Sequence, residues 1–142
     1  MLRVTASDDG VVAVDRVSRA GTKRGSAAAR RHTERAAREL REYFAGKRTN
    51  FTVSLDLKGT PFQQRAWAAM RKIPYGKTIS YAQQARSIRS PRAVRAVGSA
   101  NGANPIPIIV PCHRVVASNG GLGGYALGLA MKRWLLTHES RA

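Results

Sequence analysis

The 142-residue chain contains one cysteine, three histidines, eight acidic side chains and no long apolar run. A lone thiol rules out an intramolecular disulfide, and histidines spread over positions 32, 113 and 138 make a four-ligand zinc site unexpected. No uninterrupted apolar stretch approaches the roughly 20 residues that a membrane-spanning helix needs, so no membrane association is expected. The opening MLRVTASDDGVVAV lacks the basic start, apolar block and small-residue cleavage site of a secretory signal, and a cytoplasmic, nucleoid-associated location is expected. Carboxylates are scarcest of all in the second half. Residues 1–50 carry 12 basic and 6 acidic residues, whereas residues 51–142 carry 13 and 2, the two being Asp56 and Glu139.

What is present is positive charge, +17 in all. Such a field attracts polyanions and draws nucleic acid close, although charge alone fits a merely soluble basic surface as well. The length favours one compact domain or two small ones. Residues 2–16 alternate around Asp8-Asp9-Gly10 and read as a hairpin. Residues 17–31 are small, basic and aperiodic and read as a loop. Ala36, Ala37, Leu40, Tyr43 and Phe44 give a helix from Thr33 to Phe44, stopped by Gly46. Phe51, Val53, Leu55 and Leu57 alternate as a strand. Together these predict a small supporting α/β domain over residues 1–58.

Residues 59–142 predict a mostly helical second domain, making the whole chain α+β. Thr60-Pro61-Phe62-Gln63 is a capping box with proline at the first helical position, and Phe62, Ala66, Trp67, Met70 and Ile73 mark the buried face that follows. Ser80 to Gln83 is a second capping box. A third helix is expected from Ser90-Pro91 to about Asn101, and two short helices joined by a tight turn suggest helix-turn-helix. On that third helix Arg92, Arg95 and Ser99 share one face, with Ala93, Val94 and Val97 opposite. A last helix from about Leu127 to Thr137 is expected to pack Leu127, Met131, Trp134 and Leu135. It brings His138, read as a surface residue, and Glu139 to its end.

The cysteine lies in NPIPIIVPCHRVV, residues 104–116, behind a proline-bounded apolar run read as a strand. A lone cysteine is more often a small buried hydrophobe than a nucleophile, but an adjacent imidazole or a positive field can populate the thiolate. His113 can act as base, directly or through water, and a carboxylate can hold its ring in the productive tautomer. Glu139 is the available carboxylate. Cys112, His113 and Glu139 alone would equally suit a cysteine hydrolase, and Asn104 is either a turn starter or an orienting side chain.

PCHRVV at 111–116, with TPFQQRAW, IPYGKTISYAQQA, SPRAVRAVGSANGANPIPIIVPCHRVV and GGYALGLAMKRWLLTHE around it, resembles the O6-alkylguanine-DNA alkyltransferase family in order and spacing. The resemblance covers about residues 60–139. It implies direct-reversal DNA repair, in which a single-turnover protein flips O6-alkylguanine out of double-stranded DNA and moves the alkyl group irreversibly onto its own cysteine. O6-methylguanine would be the main substrate and O4-methylthymine a possible one. Carried over by position, Cys112 resembles the acceptor, His113 the base acting through water, Glu139 its polarising partner and Asn104 the brace of the active-site turn. Tyr81 resembles the tyrosine that assists nucleotide rotation and protonates the departing guanine, and Arg95 the finger that fills the gap in the stack. Arg92, Ser99 and Ser80 are expected to contact DNA. Tyr125 resembles the aromatic wall of the base pocket, with the Val115 carbonyl and the Ala126 amide touching the base.

Two pocket positions depart from many members. Ala126 stands where serine is common, and Leu127, where some members have glycine, is expected to narrow the pocket. The first domain is short and lacks the zinc-binding cysteines of some members, so no metal and no cofactor is expected, and the protein is expected to be monomeric. A lesion sensor of the alkyltransferase-like type is the alternative, although that class usually replaces the cysteine. A basic DNA-binding module with an inert cysteine is the third possibility.

Overall fold

A computed structural model describes residues 1–19 and 25–141. The chain divides into two compact units, Met1–Lys58 and Gly59–Ala142. In the first, β1 (Leu2–Ala6) and β2 (Val11–Arg16) form the antiparallel hairpin, with Val4 opposite Val14 and an irregularity between Thr5 and Ala6. Helix α1 runs Ala27–Phe44, capped by the Ser26 hydroxyl, which accepts from the Ala29 amide. It starts six residues before the expected Thr33. Ala27 to Ala29 are strong helix formers whose small side chains show no amphipathic period, so the start is written in propensity and in the cap. Of the loop expected at 17–31, residues 20–24 lie outside the described residues.

The strand expected from Phe51 to Leu57 does not form. Leu55 alone bridges β2, parallel to Val11, through the Val11 amide to Ser54 and the Asp56 amide to Val11. The reason is Glu39, fully buried on α1, whose carboxylate accepts from the Thr52 amide at 2.9 Å and the Val53 amide at 3.2 Å. Two consecutive amides are thereby taken by a side chain and are lost to a ladder. Burial pushes the Glu39 carboxyl up, but hydrogen bonds from Thr52, Arg35 and Val53 outweigh it and hold it below the usual range.

The second unit begins with α2 (Pro61–Arg71), whose Thr60 capping box is complete. Ala66, Trp67, Met70 and Ile73 are buried as expected, and Trp67 donates its indole N–H to the Ala100 carbonyl at 2.8 Å. After a turn, β3 (Ile79–Ser80) pairs in parallel with β4 (Val115–Val116) and leads into α3 (Tyr81–Ser87), capped by Ser80 and Gln83 in a second complete capping box. Helix α3 ends in a Schellman motif: the Ser90 amide bonds Ala85 and the Arg89 amide bonds Arg86. The left-handed position of that motif, at φ 60°, holds Arg89 where glycine is usual, which costs about 1 kcal/mol or more.

Helix α4 runs Val94–Gly102 and packs on α2 and α3. It starts three residues after the expected Pro91, because Pro91 and Arg92 form a turn closed by the Ala93 amide on the Ser90 carbonyl. Arg92 is therefore not on the helical face of Arg95 and Ser99, and Val94, placed opposite that face, is 38% exposed. A reciprocal amide pair ties the two helices: Gln84 donates to Asn101 at 2.9 Å and Asn101 to Gln84 at 2.7 Å, both buried. Helix α5 (Leu129–Ser140) follows Gly128 at φ 93° and buries Lys132, Leu135 and Glu139. Leu127 precedes the helix, and Trp134 is 47% exposed and stacked on His138, so neither packs as expected. The inward stripe is set by the spacing of three and four that links Lys132, Leu135 and Glu139, which includes two charges that a hydrophobicity pattern rejects. The chain as a whole is α+β, with five helices and two two-stranded sheets among the described residues. None of these helices is long and apolar enough to cross a membrane.

Candidate active site

Between α4 and β4 the chain makes a buried turn in place of the expected strand. Asn104 donates its side-chain amide to the Val110 carbonyl at 2.9 Å and accepts the Ile106 amide at 2.9 Å, while the Val110 amide closes on Ile106. Ile108 sits at φ 75° inside this loop and is 1% exposed, a left-handed β-branched residue held by apolar packing. Pro111, at φ −83° and ψ 66°, is the centre of an inverse γ-turn closed by the Cys112 amide on Val110 at 2.8 Å. Cys112 then opens a single 3₁₀ turn, Cys112–Arg114, that delivers three functional side chains in three residues.

Cys112 is buried, and burial pushes its thiol up. The Asn104 side chain and the Lys132 ammonium pull it down without cancelling that effect. The neighbouring imidazole, expected to act as base directly or through water, turns its Nε2 edge to a carboxylate. His113 is fully buried with Nε2 2.6 Å from Glu139 Oε2, facing the carboxylate. Because a carboxylate only accepts, Nε2 carries the proton and donates, leaving the Nδ1 lone pair with no hydrogen-bond partner among the described residues. Burial lowers the His113 basicity and the Arg114 charge adds to this, against the raising effect of Glu139; the ring is held neutral.

Glu139 serves two partners, the neutral His113 ring and the Arg114 guanidinium. Arg114 grips it in a bidentate pair, Nε to Oε1 at 2.7 Å and Nη2 to Oε2 at 3.0 Å, and donates Nη1 to the Ile73 carbonyl at 2.8 Å. The Gly76 amide adds a long contact to Oε1 at 3.4 Å, and the guanidinium lies 5.6 Å from the centroid of the Tyr75 ring. Lys132 is the second buried cation. Its Nζ donates to the Val115 carbonyl at 2.7 Å and the Gly124 carbonyl at 3.1 Å, joining β4 to the loop before α5. Burial lowers its affinity for the proton, and the thiolate form of Cys112 would raise it.

Beside Cys112 opens a cavity of about 550 Å³, within the range of small-ligand sites. Tyr81, Cys112, Tyr125 and Ala126 line it, joined by Gly124 and, from α4, Val94, Gly98, Asn101 and Gly102. Tyr81 is fixed by the glycines opposite: a Cβ at Gly123, where φ is +73°, would lie 2.6 Å from its hydroxyl. Burial raises the Tyr81 hydroxyl, a hydrogen bond with the Gly124 backbone lowers it, and the Cys112 charge raises it again, leaving it above the usual tyrosine value.

The expected site residues fall into three groups. Cys112, Tyr81, Tyr125 and Ala126 meet at the cavity; Asn104, His113 and Glu139 stand behind the cysteine. Arg95 and Ser99 lie exposed on α4, Arg92 on the turn before it, and Ser80 caps α3. Leu127 does not line the cavity and so does not narrow it. The turn closed by the Gly128 amide on Tyr125 carries Tyr125 and Ala126 onto the cavity wall and Leu127 off it. The Val115 carbonyl is likewise outside the lining and already holds Lys132. Arg114 and Lys132 were absent from the expected set. Arg114 was signalled only by its place two residues after the cysteine, and Lys132 by sharing a helix face with Glu139.

The profile of the family described as 6-O-methylguanine DNA methyltransferase, DNA binding domain, matches residues 61–141. The chain belongs to this family. Among its methyltransferase relatives, the methylated-DNA–protein-cysteine methyltransferase of Mycobacterium tuberculosis H37Rv is 57% identical over 108 residues, covering 75% of this chain and 66% of that protein. The inducible enzyme of that name from Bacillus subtilis is 53% identical over 104 residues, 73% of this chain and 58% of the relative. The chain thus spans just under two thirds of the first of these relatives and less of the second. The crystal structure of Mycobacterium tuberculosis OGT in complex with DNA superposes with a TM-score of 0.86 at 43% identity, covering 99% of this chain and 86% of that one.

Proposed function

We propose that the protein repairs DNA by taking the alkyl group of O6-alkylguanine onto Cys112 in a single irreversible turnover. The observation that carries this is Cys112 in the wall of a base-sized cavity with the His113–Glu139–Arg114 network directly behind it. In the transfer a new S–C bond forms as the alkyl C–O6 bond breaks. The thiol proton passes through a bridging water to Nδ1 of His113, Glu139 stabilises the imidazolium that results, and the Tyr81 hydroxyl supplies the proton that the departing guanine needs. Lys132 stabilises the thiolate once it forms, which matters because the resting thiol is protonated.

The alkyl group sits at a base edge inside the stack, so attack in line requires the nucleotide to be extruded, at a cost of a few kcal/mol. Helices α3 and α4 act as a helix-turn-helix on double-stranded DNA. Arg95 enters the gap left by the flipped nucleotide, with Arg92, Ser99 and Ser80 on the backbone. Tyr125 stacks on the base and the Ala126 amide donates to O6. The first unit is a supporting domain, and the protein acts as a monomer. Mass spectrometry after mixing with a duplex holding one O6-methylguanine tests the reading, with Cys112→Ser as control. One methyl on the Cys112 peptide and loss of the lesion is expected. Tight lesion binding at unchanged mass would refute transfer and leave a lesion sensor.

A further inference from the structure

A second groove of about 550 Å³ lies on the Gly59–Ala142 unit and shares no lining residue with the alkyl-acceptor cavity. Its floor is apolar, built from Ala68, Ala69, Ile73, Pro74, Ile79 and Ile88, with Ile79 and Ile88 still partly open to solvent. Three cations line its edge, Arg65, Lys72 and Arg89, all exposed and none in an ion pair among the described residues. Nothing acidic balances them, since Glu139 is the only carboxylate residue after Asp56.

Arg89 supplies an independent indication. It occupies the left-handed position of the Schellman motif that ends α3, where glycine removes the strain and arginine retains it. Residues held in such conformations cluster at ligand sites. Here the strained residue is also one of the three groove cations.

We propose that this groove docks an acidic segment of a partner protein, anchored by one bulky apolar side chain against Ile73, Ile79 and Ile88 and held by its carboxylates on Arg65, Lys72 and Arg89. A peptide fits better than a DNA backbone, because a phosphodiester chain has nothing to place on an apolar floor, whereas an acidic peptide with one large apolar residue satisfies both parts. The proposal does not depend on the repair reading.

The test is selection from a random peptide library displayed on phage against the intact protein, followed by affinity measurements on synthetic copies of the enriched peptides. Enrichment of sequences that combine two or more acidic residues with a leucine, isoleucine or aromatic residue is expected. Their affinity should fall at least tenfold in the Arg65→Glu/Lys72→Glu double variant, with methyl transfer to Cys112 unchanged. Arg89→Gly separates binding from folding: it should raise the melting temperature and weaken the peptide severalfold. No acidic-apolar enrichment, or peptides that bind the double variant as well as the parent, would overturn the proposal. So would a duplex affinity that falls in the double variant while peptide binding does not, since the groove would then be part of the DNA face.

Discussion

Glu139→Gln is the most informative single change. The carboxylate is 2% exposed, His113 is fully buried and Arg114 is 6% exposed, so removing the anion strands a guanidinium and an imidazole away from water. Breaking a buried ion pair from one side costs about 3–5 kcal/mol. The amide oxygen of glutamine can still accept from Arg114 or His113, though not with both oxygens as the carboxylate does at 2.6, 2.7 and 3.0 Å. The lower end, about 3 kcal/mol, is therefore expected. With an unfolding entropy of about 2 cal/mol/K per residue, that corresponds to a fall in melting temperature of about 10 °C. Transfer should slow by about 10²-fold, because the imidazolium loses its counter-charge. Urea unfolding followed by circular dichroism gives the first number, and single-turnover methyl transfer well below the new melting temperature gives the second. Stability within about 0.5 kcal/mol of the parent, together with an unchanged rate, would refute the network's role.

Asn104→Ala should cost about 2–4 kcal/mol, since the Ile106 amide and the Val110 carbonyl lose their partners in a buried turn; chemical denaturation checks it. Gly123→Ala should leave the protein folded and reduce methyl transfer, because the new Cβ must push Tyr81 from its place; a rate equal to the parent's would show that the tyrosine position is not needed. His113 has its folded basicity lowered by burial, so below about pH 6.5 the unfolded chain binds a proton that the native one resists. Stability should therefore fall as pH drops below about 6.5, and His113→Gln should flatten that part of the profile measured by denaturation. Because burial raises the Cys112 thiol, its alkylation by iodoacetamide should be slow at pH 7 and accelerate with rising pH above the ordinary cysteine range, shifted further upward in Lys132→Met.

The elements legible in the sequence are those whose ends carry chemistry. Both capping boxes, at Thr60 and Ser80, start helices, and Asp8-Asp9-Gly10 turns the hairpin. Alternation at Phe51 to Leu57 misled because Glu39, twelve residues away, claims two of the amides a strand would use; no local pattern announces a side chain acting as a strand partner. Trp134 and Leu127 mislead for the opposite reason: apolarity near α5 points to them as its inner face, while the helix turns Lys132 and Glu139 inward. Cys112, His113 and Glu139 were legible because a motif carries them. Lys132 was not, since a buried lysine looks like any surface lysine until the two carbonyls it serves are placed.

Ile73 belongs to both regions of the second unit. Its carbonyl holds Arg114, which holds Glu139, and its side chain forms part of the basic groove. One backbone position therefore carries two equilibria, and any ligand that displaces it on the groove side changes the free energy of the network behind Cys112. Linkage makes such an effect symmetric. Whatever factor a bound segment imposes on the affinity of the cavity for its base, an occupied cavity imposes on the segment. The groove's affinity would then differ between a molecule engaged with a lesion and one at rest.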